Sequence, residues 1–156
     1  KKVHEMIEAY KLIEHEEAKA LTEKVFSYQQ VLEKLVFVNQ LSPTSRFYLL
    51  DFYYENCAPC LKSISYLKNL EHDFSSATLS VIAVNPYDTK EKIENYAVKN
   101  QISYAEAMID KEFVDDSIGH IGYPFFVLFD REGKIVLKQT GFDPAFFDKV
   151  REIINK

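Results

Sequence analysis

Both cysteines of this chain lie in Phe52 to Lys62, FYYENCAPCLK, as Cys57 and Cys60. Two thiols separated by two residues support three chemistries: a structural bridge, half of a metal site, or a redox couple. A bridge across two intervening residues closes so small a loop that it restrains the unfolded chain little. A structural zinc site needs four ligands, and His4, His15, His72 and His120 show no H-x₃₋₅-H spacing near the pair. The redox reading draws on position. Cys57 falls where an apolar run ends and a helical pattern begins, which places its sulfur among free N–H groups at the positive end of a helix dipole. In C-x-x-C motifs that environment brings a cysteine pKa from about 8.5 to between about 3.5 and 7.5, so that the first sulfur is a nucleophile at neutral pH. Cys60, one turn further on, is then placed to attack a mixed disulfide formed at Cys57. Beside a βαβ pattern, this spacing signals thiol-disulfide exchange.

The elements that must position the pair follow from periodicity. Phe47 to Tyr54 predicts a buried strand carrying one acid, Asp51, and Cys60 to about Phe74 a helix with Leu61, Ile64, Leu67, Leu70 and Phe74 along one side. Thr78 to Asn85 predicts a second strand, and Thr89 to Asn100 a helix that Thr89 caps. Ile102 to Asp110 is expected to hold a short strand and Lys111 to Ile118 a short helix. Phe125 to Phe129 and Ile135 to Thr140 flank DREGK, where Gly133 supplies the positive φ of a hairpin loop. The last helix opens on Asp143 as N-cap with Pro144 at its first position. Crossover helices require parallel strands and the late hairpin is antiparallel, so the expectation is an α/β sandwich with a mixed sheet and helices on both faces.

Ahead of this unit, Val3 to about Leu35 predicts a charged helix with an apolar stripe of Ala18, Leu21, Val25, Tyr28, Leu32 and Leu35. The stripe is expected to pack on its own domain; a partner-binding or coiled-coil helix is the alternative. Val36 to Arg46 breaks the periodicity through Asn39, Ser42, Pro43, Thr44 and Ser45. The expected division is a helical extension and linker over 1–45 and an α/β domain over 46–156.

Composition excludes some functions. The chain has 156 residues, 47% hydrophobic and 28% charged, with 19 Lys and Arg against 24 Asp and Glu and a net charge of −5. No basic cluster follows a phosphate backbone, so nucleic acid is not an expected partner. No stretch approaches the roughly 18 consecutive apolar residues of a membrane span. The chain opens on Lys1 and not on a methionine, so the lack of an export signal says nothing about compartment.

The segment LLDFYYENCAPCLK resembles the thioredoxin pattern of apolar strand, acid, aromatic and C-x-P-C, and IGHIGYPFFVLFDREGKIV resembles the thioredoxin stretch of helix end, cis-proline, strand and hairpin. The resemblance spans about Arg46 to Lys156 and implies a thioredoxin-like three-layer α/β/α sandwich. It implies that Asp51 is the buried acid moving protons at the resolving sulfur, and that Tyr123–Pro124 is a cis bond whose backbone at Tyr123 pairs with an extended substrate. Asn56, Ala58 and Pro59 complete the implied substrate-contacting surface. The roughly 38 residues between Asn85 and Pro124, and the VIAVNPYD segment, resemble the TlpA/ResA branch, which includes DsbE-type proteins and lies near the AhpC/TSA peroxidases. In that branch a carboxylate near the cysteines maps onto Asp88, where like-charge repulsion raises a thiol pKa.

The branch implies a protein-disulfide reductase with no cofactor beyond the Cys57–Cys60 disulfide and no metal. Its implied partners are disulfide-containing exported proteins and a membrane thiol donor of the CcdA/DsbD type. Its implied location is periplasmic or extracytoplasmic, with a membrane tether upstream of residue 1. Three residues depart from the family: Asn56 and Tyr53 stand where Trp is common, and Tyr123 where Ile, Thr-like or Val residues are. Asn56 has the chemistry of an N-cap for the active-site helix. Two alternatives remain beside this reading. A thiol peroxidase of AhpC/TSA type is disfavoured because position 54 is Tyr and not Thr. A non-catalytic binding module would leave the cysteines without a role.

Overall fold

The computed structural model describes residues 2–3, 5–7, 24–39 and 43–156. Its architecture rests on three strands too apolar to face water on either side. Phe47–Phe52 (β2), Leu79–Asn85 (β3) and Phe125–Phe129 (β5) are buried along nearly their whole length, which only the centre of a sheet covered on both faces provides. Val36–Phe37 (β1), Ala105–Met108 (β4) and Ile135–Thr140 (β6) complete a six-stranded sheet in the order β1-β4-β3-β2-β5-β6. β2, β3 and β4 run parallel, while β1, β5 and β6 are antiparallel to their neighbours. The expected hairpin is present, with Gly133 at φ 81° in its turn.

One face is covered by Ala58–Asp73 (α2) and Pro144–Ile154 (α5), whose Ile64, Leu67, Leu70, Phe146, Phe147 and Val150 pack with Leu49, Val81 and Phe126 of the sheet. Lys90–Lys99 (α3) adds Tyr96 to that layer. The opposite face holds Tyr28–Leu32 (α1) and the turn Lys111–Phe113 (α4), which continues as a π-helical turn over Val114–Ile118. The three-layer thioredoxin-like sandwich is therefore the observed fold. Thr89 and Asp143 cap their helices as expected, each accepting a bond from a backbone N–H of the first turn.

The N-terminal part differs from expectation. Ala18 and Leu21 lie outside the described residues, but residues 24–27 are not helical, and Val25 is 93% exposed. The helix starts anew at Tyr28 because Ser27 and Gln30 close a capping box, the Ser27 side chain accepting from the Gln30 N–H while Gln30 Oε1 accepts from the Ser27 N–H. Phe26, Tyr28 and Val31 are buried against the sheet, Tyr28 stacked on Tyr48 with ring centroids 3.9 Å apart. The aperiodic stretch after Leu35 holds β1, which pairs Val36 with Met108 and Phe37 with Ala107; two residues are too few to show a period.

Residues 26–37 thus add to the two layers that 46–156 builds. Urea unfolding checks this: Tyr28→Ala is expected to cost about 3 kcal/mol as an emptied aromatic site, and Val25→Ala less than about 0.5 kcal/mol as an exposed truncation.

Candidate active site

β2 runs between β3 and β5 and delivers the chain to the sheet's edge at Tyr53, where the Tyr53 N–H still bonds to the Val84 carbonyl. Three residues later the backbone turns into α2. The helix is capped by Cys57, not by Asn56: Cys57 is extended at φ −92° and ψ 103°, and its Sγ accepts the Cys60 N–H at 3.3 Å. Pro59 in the first turn needs no hydrogen-bond partner for its nitrogen, so it fits where a helix starts. The two sulfurs are bonded to each other and nearly buried, Cys57 2% and Cys60 1% exposed. Around them Asn56, Ala58 and Pro59 are exposed. A cleft of about 500 Å³ opens beside this helix start, lined by Asn56, Ala58, Leu61, Asn95, Tyr96 and Asn100.

The antiparallel register of β2 with β5 pairs Phe52 with Phe125, which carries Pro124 and Tyr123 to the same end of the sheet as Cys57. The Tyr123–Pro124 peptide bond is cis. The Pro124 carbonyl accepts the Gly141 N–H at 2.7 Å, tying the start of β5 to the end of β6. Tyr123 meets Tyr54 at 5.5 Å and Tyr87 at 5.6 Å, and Tyr54 meets Tyr87 at 5.5 Å, each pair edge to face. Three rings therefore brace three separate loops against one another beside the cysteines.

Asp88 joins two of those loops. Its Oδ2 accepts the Glu55 N–H at 2.7 Å and the Asn85 side-chain amide at 2.8 Å, while Asn85 Oδ1 accepts the N–H groups of Tyr87 and Asp88. The carboxylate thus holds the segment just before Cys57. Asp51, by contrast, is buried in β2 at 3% exposure, and burial first, then the charge of Glu106, pushes its pKa up to about 8. Glu106 itself is fully buried in β4 and raised by burial to about 7; its Oε1 accepts the Tyr53 hydroxyl at 3.1 Å.

Among the described residues no group of three or more His, Cys, Asp or Glu is placed to hold a metal ion, and no helix is long and apolar enough to cross a membrane. The structure brings Asp51, Asn56, Cys57, Ala58, Pro59, Cys60, Asp88, Tyr123 and Pro124 to one end of the sheet or to the strand that leads there. Sequence reasoning missed Tyr54 and Tyr87, whose partners are fixed only by tertiary contact. It also missed Glu106 of AEAM, whose strand is interior only through a pairing made far along the chain.

The thioredoxin-like family model matches residues 45–135, more than half of the chain. The thiol-disulfide oxidoreductase ResA of Bacillus subtilis (strain 168) is 27% identical over 92 residues, covering 59% of this chain and 51% of ResA; the chain spans about half the length of that curated relative. The thioredoxin domain of a thiol-disulfide oxidoreductase from Bacteroides vulgatus superposes with a TM-score of 0.67 at 22% identity, over 78% of this chain and 92% of that domain. A putative thiol:disulfide interchange protein DsbE from Chlorobium tepidum gives 0.66 at 21% identity, over 85% of this chain and 96% of its own. A helix-capping Cys57 bonded to Cys60, a cis-proline at the same end of the sheet and a matching family model together establish that this chain belongs to the thioredoxin-like family.

Proposed function

We propose that the chain is a thiol-disulfide oxidoreductase of the ResA type that reduces disulfides in exported proteins, using no cofactor beyond Cys57 and Cys60. The observation that carries this reading is the Cys57–Cys60 disulfide at a helix N-cap, with the Cys60 N–H directed at Cys57 Sγ. In the reduced protein that N–H and the helix dipole stabilise a Cys57 thiolate. The thiolate attacks a substrate disulfide, forming a Cys57–substrate bond and releasing one substrate thiolate. Asp51 takes the proton of the Cys60 thiol; the Cys60 sulfur then bonds to Cys57 and the second substrate thiolate leaves with the electron pair of the broken bond. The substrate gains two electrons and the dithiol loses them.

The exposed Asn56, Ala58 and Pro59 and the cis peptide at Tyr123 form the surface against which an extended substrate segment lies. Asp88 adds negative charge next to Cys57 and restrains its reactivity. A membrane dithiol donor of the CcdA/DsbD type returns the electrons. The proposal includes a position outside the cytoplasm and a tether upstream of residue 1, with residues 46–156 as the catalytic unit.

Insulin reduction by dithiothreitol tests the assignment. Wild type is expected to accelerate it and Cys57→Ser to leave the uncatalysed rate; equal rates sink the reading, and rapid hydrogen peroxide consumption in its place would assign the chain to the peroxidases. With Cys60→Ala, a stable mixed disulfide through Cys57 is expected, and its absence reverses the attack order. Asp88→Ala is expected to lower the Cys57 thiol pKa by about one unit or more, read from the pH dependence of alkylation, and to lower the Tm as the Glu55 N–H loses its acceptor. Because burial raises the Asp51 pKa from 3.8 to about 8, the folded chain holds a proton that the unfolded chain has released between those values. Stability therefore falls as pH rises through that window, and Asp51→Asn flattens the slope.

A further inference from the structure

Glu106 of β4, Ala83 of β3, Asp51 of β2 and Phe126 of β5 are register partners, one residue from each of four adjacent strands. Register partners project from the same face of a sheet. Residue parity identifies that face. Leu49 and Tyr53, two positions either side of Asp51, pack in the layer that contains Cys57, Cys60 and α2, while Leu50 and Phe52 pack in the opposite layer. Ala105 and Ala107 belong to the opposite layer, so Glu106 between them also points toward the disulfide layer.

Between the two acids stands only the methyl group of Ala83. With neighbouring strands about 4.8 Å apart, the two Cα atoms lie about 10 Å apart and side chains leaning over Ala83 come closer. Both residues are buried, and neither Asp51 Oδ1 nor Glu106 Oε2 has a hydrogen-bond partner among the described residues. The titratable groups facing the pair are Tyr53 beyond β2, Tyr96 on α3, Tyr104 before β4, the two cysteines at the start of α2, and Glu94 of α3, which lines the same cleft as Glu106. None of these is a cation. Two carboxylates in such surroundings resist ionising together, since the second charge must be made in the field of the first without water to screen it.

We propose that Asp51 and Glu106 form a coupled acid pair that carries one proton between them at neutral pH, with Glu106 as a positioning residue that sets when Asp51 can accept the proton of the Cys60 thiol. The role toward Cys60 rests on the reductase reading above; the coupling of the two acids does not. In the resolving step, in the form of the pair in which Glu106 holds the shared proton, the Cys60 S–H bond breaks and its proton goes to the Asp51 carboxylate. The electron pair left on Cys60 Sγ forms the bond to Cys57, and the Cys57–substrate bond breaks toward the substrate thiolate. Tyr53 biases the pair, because its hydroxyl donates to Glu106 Oε1 and so favours placing the negative charge on Glu106 and the proton on Asp51. The raised values of about 8 for Asp51 and about 7 for Glu106 agree with this order.

The test is a side-chain carboxyl carbon NMR titration of the oxidised full chain, which needs no turnover. Wild type is expected to titrate in two linked steps, and Glu106→Gln to move the Asp51 step acidward by about one pH unit or more. Tyr53→Phe, which removes only a hydroxyl, serves if Glu106→Gln does not fold; it is expected to move Asp51 acidward and Glu106 toward higher pH. An Asp51 step unmoved by either variant overturns the proposal, because a merely structural Glu106 changes the Tm and leaves the Asp51 titration in place. In insulin reduction the acid limb of the pH profile is expected to move with the Asp51 step, and a limb that stays while the step moves overturns the role toward Cys60. Shifted titrations in a protein that does not reduce insulin at any pH support the pair and overturn the reductase reading.

Discussion

Strand β2 has hydrogen-bonded neighbours along both edges, β3 parallel and β5 antiparallel, and an apolar layer against each face. A strand held this way cannot slip by one residue without driving Leu50 and Phe52 into the wrong layer and exchanging Asp51 for an apolar neighbour. Every position at the site inherits that lock. It sends Asp51 toward the disulfide layer, places Tyr53 where its hydroxyl meets Glu106, and sets the point at which the chain leaves the sheet to make Cys57 the first cap of α2. The same register with β5 brings Pro124 opposite the end of β2. The redox centre is thus an outcome of sheet registration, and the loops around it contribute bracing through three tyrosines and one Asx-type hydrogen-bond cluster.

Much of this was legible from residue order. The alternation of strand and helix patterns from Phe47 onward, the Gly133 turn and the caps at Thr89 and Asp143 are local signals, and each is decided by residues within a few positions of one another. Cys57, Cys60 and Pro124 were legible because a short motif and a proline opening an apolar run are both rare enough to constrain an alignment. The N-terminal segment was misjudged for the opposite reason: a three-and-four spacing continues through Val25, but Ser27 and Gln30 offer the backbone a better arrangement locally, and the capping box ends the period. β1 was invisible because two residues carry no periodicity, and its partner β4 lies some seventy positions away.

Glu106 shows a different limit. A single acid in AEAM looks like a solvent-facing residue of an edge strand, and only the pairing of β1 outside β4 makes its strand an interior one. The short strand β1 therefore helps remove Glu106 from water. The Val38 N–H bonds to the Glu106 carbonyl and the Asn39 side chain accepts the Glu106 N–H, so the backbone of this residue is satisfied from the N-terminal segment while its carboxyl is directed inward.

The packing of Tyr28 also has a mechanical side. Its N–H bonds to the Gly133 carbonyl in the hairpin turn and its ring lies on Tyr48, both on the layer opposite the disulfide. Residues 26–28 are thereby fastened to the β5–β6 hairpin and to the side of β2 that faces away from the sulfurs. Cys57 and Cys60 pack in the other layer, so the anchorage of the N-terminal segment and the disulfide lie on opposite faces of the sheet.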